Sequence, residues 1–328
     1  MSELTWMLPI AFGLTTVTLF FLLGRGWAGL LAMDTPNTRS SHEVPTPRIG
    51  GLVLVPVALG VTAMSSEPPT LLLSLAAMLC GVSFADDRWG LPVIVRFLSH
   101  LVAAVVLCVS LEASLPVWAL AIGGLALVWV VNLYNFMDGT NGLAGGMALF
   151  GFGILGWTLQ GTSPGLSGLA FCVAVAAGGF LLFNFHPARV FMGDGGSVPL
   201  GFLAGGVGLV GWVQEAWPIW FPMLVFSPFL VDATMTLLKR LVRGEKVWHA
   251  HREHYYQRVV QMGWSHRRLA LAEYGLMAAC GASALGLLHA SFEVQLAGLS
   301  VWAVVYVGLM VAIDRRWSSS VASRGGLA

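Results

Sequence analysis

An all-α, polytopic membrane bundle is the fold class this sequence predicts, and three features predict it. The chain is 57% hydrophobic, and among its 328 residues are only 17 Lys and Arg and 16 Asp and Glu. A soluble domain carries about a quarter charged residues, and the mean hydropathy of +0.79 lies far on the apolar side. Apolar stretches of about 17–24 residues recur along the whole chain, each long enough to cross a bilayer as a helix. Finally, the basic residues segregate with the connections on one side of these stretches.

Eleven spans are predicted, at about 4–24, 50–66, 69–85, 92–110, 115–132, 142–160, 165–184, 198–213, 217–240, 269–289 and 293–313, or ten if two neighbours merge. The first reads as a retained span rather than a secretory leader, because Glu3 precedes it and Arg25 follows it, the reverse of a basic leader region. If the spans alternate, the loops at 1–3, 67–68, 111–114, 161–164, 214–216 and 290–292 hold no Lys or Arg. All 17 lie in, or within about one turn of, the opposite loops and the C-terminal tail. The positive-inside rule makes that basic side cytoplasmic, with the N-terminus outside and the C-terminus inside. Cys80, Cys108, Cys172 and Cys280 are isolated in apolar runs and read as small core residues, not disulfides or metal ligands. Glycines inside spans, such as Gly201 and Gly205, read as helix-packing positions.

No soluble domain fits between the spans, so residues 1–328 are expected to form one membrane domain. Its chemistry must come from the polar segments at about 25–50, 85–91, 132–142, 184–197 and 241–268. Asp86-Asp87 directly follows the third span. Adjacent carboxylates raise each other's pKa unless a cation is close, so this pair is more than a boundary marker. The run Asn132-Leu-Tyr-Asn135-Phe-Met-Asp138-Gly-Thr-Asn141-Gly spaces amides and a carboxylate three apart, sharing a face if helical. Asn and Asp offer the hard oxygens that suit Mg²⁺. Between the seventh and eighth spans lie Asn184, His186, Arg189, Phe191, Asp194, Gly195, Gly196 and Ser197. The start of the eighth span can face an anion, and Phe191 is placed to stack on a base. His249, His251, Arg252 and His254 crowd the last large loop. Three histidines suggest zinc, but the arginines among them favour a pyrophosphate. Arg39, His42 and Arg48 form a weaker basic patch, while Asp232 inside an apolar run pairs with a cation or serves the site.

Taken together, PTPRIGG, the Asp86-Asp87 pair, NLYNFMDG, FMGDGGS and AHREHYYQR occur in that order between about residues 36 and 268. The chain thereby resembles the polyprenyl-phosphate N-acetylhexosamine-1-phosphate transferase superfamily, glycosyltransferase family 4 type, in the branch that starts O-antigen and other surface glycans. That resemblance implies an enzyme of the bacterial inner (cytoplasmic) membrane, with its active site facing the cytoplasm. It would transfer sugar-1-phosphate from a UDP-N-acetylhexosamine to undecaprenyl phosphate within the lipids of the membrane, releasing UMP. Mg²⁺, with Mn²⁺ as an alternative, is implied at Asp194 and Asn135. Asp86, Asp87, Asp138 and Asp194 become the catalytic carboxylates. Asn132, Asp138, Asn141, Asn184 and Phe191 become the nucleotide-sugar contacts, and Arg48, Ser197, His249, His251 and Arg252 the phosphate contacts. No nucleic acid is expected, and a homodimer is open. Many bacterial members carry a second Asp where this chain has Asn141. The competing readings are a transporter, which would keep ionisable groups near the bilayer midplane, and a non-catalytic scaffold of the same fold.

Overall fold

The computed structural model of the chain describes residues 3–34, 45–111, 114–247, 249 and 251–325. Arg39 and His42 of the predicted basic patch lie outside them. Each apolar stretch predicted to span is helical. In chain order the elements are α1 (Leu4–Gly24), α2 (Ala28–Leu31), β1 (Met33–Asp34), β2 (Thr46–Pro47), α3 (Gly50–Ala63), α4 (Thr70–Trp89), α5 (Val93–Val109) and α6 (Val117–Phe136). Then come α7 (Leu143–Met147), a π-helical turn (Ala148–Phe152), α8 (Gly153–Leu159), α9 (Pro164–Asn184), α10 (Asp194–Val213), α11 (Trp220–Val225), α12 (Ser227–Val242), α13 (Tyr255–Gln261), α14 (His266–Leu287) and α15 (Phe292–Gly325).

Among the described residues, seven helices are long and apolar enough to cross a membrane: α1, α4, α6, α9, α10, α14 and α15 to Ser320. The apolar helices α3 and α5 are shorter, as is the segment from α7 through α8. Two predicted spans are not regular α-helices throughout. The sixth passes through the π-turn at Ala148–Phe152, an irregularity of the kind that often marks functional helices. The ninth breaks at Phe226, and α12 restarts with Pro228 in its first turn, where a missing N–H costs nothing. Among the described residues the fold also departs from all-α at one place. Met33 pairs with Pro47 and Asp34 with Thr46 in a two-stranded antiparallel ladder.

Helices α9 and α10 form the buried centre. The first packs against α1, α3 and α8, the second against α3, α4 and α6. By contrast, α15 is peripheral and presents Val294, Leu296, Val301, Val304 and Val307 outward, a surface suited to lipid rather than water. The contact of α3 with α10 positions the site. A Cβ on Gly51 would lie 2.1 Å from the Cα of Gly196, so the two backbones touch with nothing between them.

Candidate active site

The polar loops converge on one cavity of about 520 Å³ at one end of the bundle. Its walls include Asp34, Arg48, Asn135, Asp138, Thr140, Asn141, Asn184, Phe191, Asp194, Arg252, Tyr256, Gln257, Gln261 and His266.

One wall is stitched from the backbones of two segments. Phe191 donates its N–H to the Pro47 carbonyl at 2.8 Å, while Gly50 and Gly51 donate to the carbonyls of Phe191 and Met192, each at 2.9 Å. This carries Arg48 to the mouth of α10. Gly193 then adopts φ 73°, a left-handed turn that glycine makes without strain, and Asp194 falls in the first turn of α10, where the helix dipole favours an anion. Opposite, α6 ends at Phe136 and leaves Asn135 at its last turn. Asn184 braces the following turn from below: its Oδ1 accepts from Gly142 N at 2.9 Å and its Nδ2 donates to the Val190 carbonyl at 2.9 Å.

Negative charge accumulates here. Asp87 is almost fully buried, accepts from the Gly195 N–H at 3.2 Å and lies 3.8 Å from Arg48. Asp138 borders the cavity, where burial first, then the charges of Asp194 and Asp87, push its carboxyl up to about 7, against the pull of Gly193 N–H and Arg48. A carboxylate group so placed calls for a cation. No three of its His, Cys, Asp or Glu side chains could enclose a metal ion alone, among the described residues. The donor set suits Mg²⁺, which takes one or two carboxylates and completes its shell with substrate phosphate and water.

The remaining expected residues divide. Asn135, Asp138, Asn141, Asn184, Phe191, Asp194, Arg48 and Arg252 all line the cavity. Asn184, however, spends both ends of its amide on the protein, so it shapes the cavity wall. Ser197 is a correction: its side chain is fully buried and donates to Asn135 Oδ1 at 2.6 Å, so it orients Asn135 instead of meeting phosphate. Asn132 is a second correction, because its amide folds back onto the Val128 carbonyl at 2.7 Å and it does not border the cavity. Asp86 sits behind the wall, with Oδ1 accepting from Leu91 N at 2.7 Å and Oδ2 from Arg96 at 2.9 Å. His249 is exposed and His251 packs on the His254 ring, so neither borders the cavity.

Several lining residues were given no role from the sequence, although Tyr256 and Gln257 stand inside the AHREHYYQR run. Tyr256, Gln257, Val260 and Gln261 arrive together on α13, and His266 opens α14 beside Thr140, whose hydroxyl contacts its Nδ1. Asn141, the departure noted above, donates to His186 Nδ1 at 3.2 Å. Glu273, inside the tenth apolar stretch, does not line the cavity, and its Oε2 is buried without a hydrogen-bond partner.

Spanning helices crowned by a cavity of carboxylates, amides and arginine define a multi-pass membrane protein with a polar site at one end of its bundle. Comparison with known proteins agrees. Residues 69–211 match the family described as Glycosyl transferase family 4. The decaprenyl-phosphate N-acetylglucosaminephosphotransferase of Mycobacterium tuberculosis is 30% identical, over 77% of this chain and 76% of that protein. A probable undecaprenyl-phosphate N-acetylglucosaminyl 1-phosphate transferase of Bacillus subtilis is 26% identical over 86% and 82%. A phospho-N-acetylmuramoyl-pentapeptide-transferase of Picosynechococcus sp. is 30% identical over 66% and 65%. The chain belongs to the polyprenyl-phosphate N-acetylhexosamine-1-phosphate transferase superfamily, within glycosyl transferase family 4.

Proposed function

We propose that this protein transfers an N-acetylhexosamine-1-phosphate from a UDP-sugar to undecaprenyl phosphate, releasing UMP and starting a lipid-linked surface glycan of the O-antigen type. The observation that carries this reading is the gathering of Asp138, Asp194, Asn135 and Arg48 in one polar cavity, with Asp87 buried just behind Arg48. Two phosphate-bearing substrates repel each other, and such a group with a divalent cation can bring them together.

In this reading an oxygen of the lipid phosphate attacks the donor phosphorus that carries the sugar. The bond from that phosphorus to the bridging oxygen breaks, and UMP leaves with the electron pair. Mg²⁺ (or Mn²⁺), held by Asp194 with Asn135 hydrogen bonded to that carboxylate, would neutralise the diphosphate. Arg48 adds fixed positive charge beside it, and Arg252 does so from the opposite wall. Phe191 offers its ring to the uracil, while Asp138 and Asn141 offer polar contacts to the nucleotide-sugar. A phosphate monoester has its second pKa near ~6, so the acceptor is largely dianionic at neutral pH. The Asp86-Asp87 pair then serves mainly to position the metal and the acceptor phosphate, Asp86 from behind the wall through Arg96 and Asp87 beside Arg48, and a general base contributes little. The basic side of the bundle is assigned to the cytoplasm of a bacterial inner membrane, with eleven spans and the N-terminus outside. A transporter is disfavoured because the carboxylates sit at one end of the bundle, not at mid-depth.

Incubating purified protein with Mg²⁺, undecaprenyl phosphate and a panel of UDP-N-acetylhexosamines tests the proposal. UMP and a lipid-diphosphate-sugar should appear with at least one donor. No UMP from any of them would sink the reading.

A further inference from the structure

Asp232 lies in α12, away from the cavity, yet its carboxylate closes the start of α13. Oδ1 accepts from the Tyr255 N–H and Oδ2 from the Tyr256 N–H, each at 2.9 Å. The first N–H groups of a helix have no partner within it, and here another helix supplies one carboxylate for two of them. Thr236, one turn along α12, donates to Oδ1 at 3.2 Å and steadies the rotamer. The His254 ring stands 3.4 Å from the same oxygen. A carboxylate in an apolar run is costly to insert, and this one is engaged almost wholly in holding α13.

What α13 carries makes the clamp matter. Tyr256, Gln257, Val260 and Gln261 all line the cavity. The Tyr256 hydroxyl donates to the Phe136 carbonyl at 3.1 Å and occupies the space a Cβ on Gly139 would need. Gln261 donates to the Arg252 carbonyl at 2.8 Å, tying that cavity arginine to the same helix. Displacing the start of α13 would therefore move one whole wall while leaving Asp194, Asn135 and Arg48 in place.

We propose that Asp232 is a positioning residue for nucleotide-sugar binding, acting through α13 without touching the substrate. This rests on the transferase reading above. Asp232→Asn preserves size but turns an amino group towards an N–H. In the full-length protein it should raise KM for the preferred UDP-sugar about tenfold, the scale of a lost helix cap. The kcat and the KM for undecaprenyl phosphate should stay within about twofold. Hydrogen exchange should quicken across residues 255–261 and not across 135–142. Thr236→Val, which loosens the carboxylate without removing it, should shift the same quantities by less, and it stands in if Asp232→Asn does not fold. Unchanged exchange in 255–261 would overturn the clamp. Quickened exchange with a wild-type donor KM, or a uniform collapse of kcat and both KM values, would overturn the positioning role. If the wild type releases no UMP from any donor, the transferase reading fails by itself. The exchange measurement and UDP binding by calorimetry need no turnover, and they then decide whether Asp232 holds α13 for the nucleotide.

Discussion

The hydroxyl of Ser197, in the first turn of α10, donates to the side-chain oxygen of Asn135, in the last turn of α6, at 2.6 Å. This bond fixes which way the amide faces, because with its oxygen towards Ser197 the amide nitrogen is the end that serves Asp194, to which Asn135 is hydrogen bonded. Ser197 thus reaches the metal-binding side chains at one remove.

Ser197→Ala should leave the fold intact and raise the Mg²⁺ concentration for half-maximal UMP release by about fivefold, since one buried hydrogen bond is worth ~1 kcal/mol. A Mg²⁺ titration of the rate measures it, and chelation with EDTA should bring wild type and variant alike to background.

Asp138 supplies a pH prediction. Its carboxyl is raised to about 7 in the folded protein, above its ordinary value. The favourable contribution of its protonated form is complete below that ordinary value and is lost as pH rises through about 7. In metal-free protein, Asp138→Asn should melt higher than wild type at pH 8, with the difference vanishing near pH 4. Thermal unfolding in detergent across that range checks the sign. Added Mg²⁺ should narrow the gap at pH 8 while the variant remains slower in turnover.

Asp86 and Asp194 should behave differently. Both oxygens of Asp86 are engaged by Leu91 N–H and Arg96, so Arg96→Gln should reproduce much of the Asp86→Asn defect. In a double-mutant cycle on kcat the two losses should fail to add. Asp194→Asn should lower turnover by on the order of a thousandfold, the scale of losing a principal electrostatic group.

Gly51→Ala should destabilise the protein by about 1–3 kcal/mol, as overpacking does, because its methyl group would meet the Gly196 backbone. Gly60, on the same helix, has nothing within 4 Å of an added Cβ, so Gly60→Ala should be neutral or mildly stabilising. Melting temperatures of the two variants make the comparison.

The helices and most of one cavity wall were legible in the sequence because their signals are local. Apolar length announces a spanning helix, and Asn135, Asp138, Asp194 and Arg48 stand in short polar segments beside glycines. The other wall was legible only in part, through Arg252 and the AHREHYYQR run. Val260 and Gln261 look like ordinary residues until Asp232, far off in sequence, fixes the helix that carries them. Ser197 and Asn132 misled for a related reason. Each has the right chemistry close to the right place, but a hydroxyl or amide can be claimed by the nearest protein acceptor, and sequence spacing does not disclose which. The π-turn at Ala148–Phe152 and the break at Phe226 leave no mark on the sequence, because an apolar run has the same composition whether its helix is regular or interrupted.

The close contact at Gly51 and Gly196 has a bearing on inhibitor design. Where two backbones meet directly, no rotamer can change, so the surface bearing Arg48 and Asp194 offers a rigid template. The α13 surface hangs from a few hydrogen bonds and can give way. A compound anchored on the rigid side meets one geometry. One that leans on α13 must first select a conformation, and its affinity carries that cost.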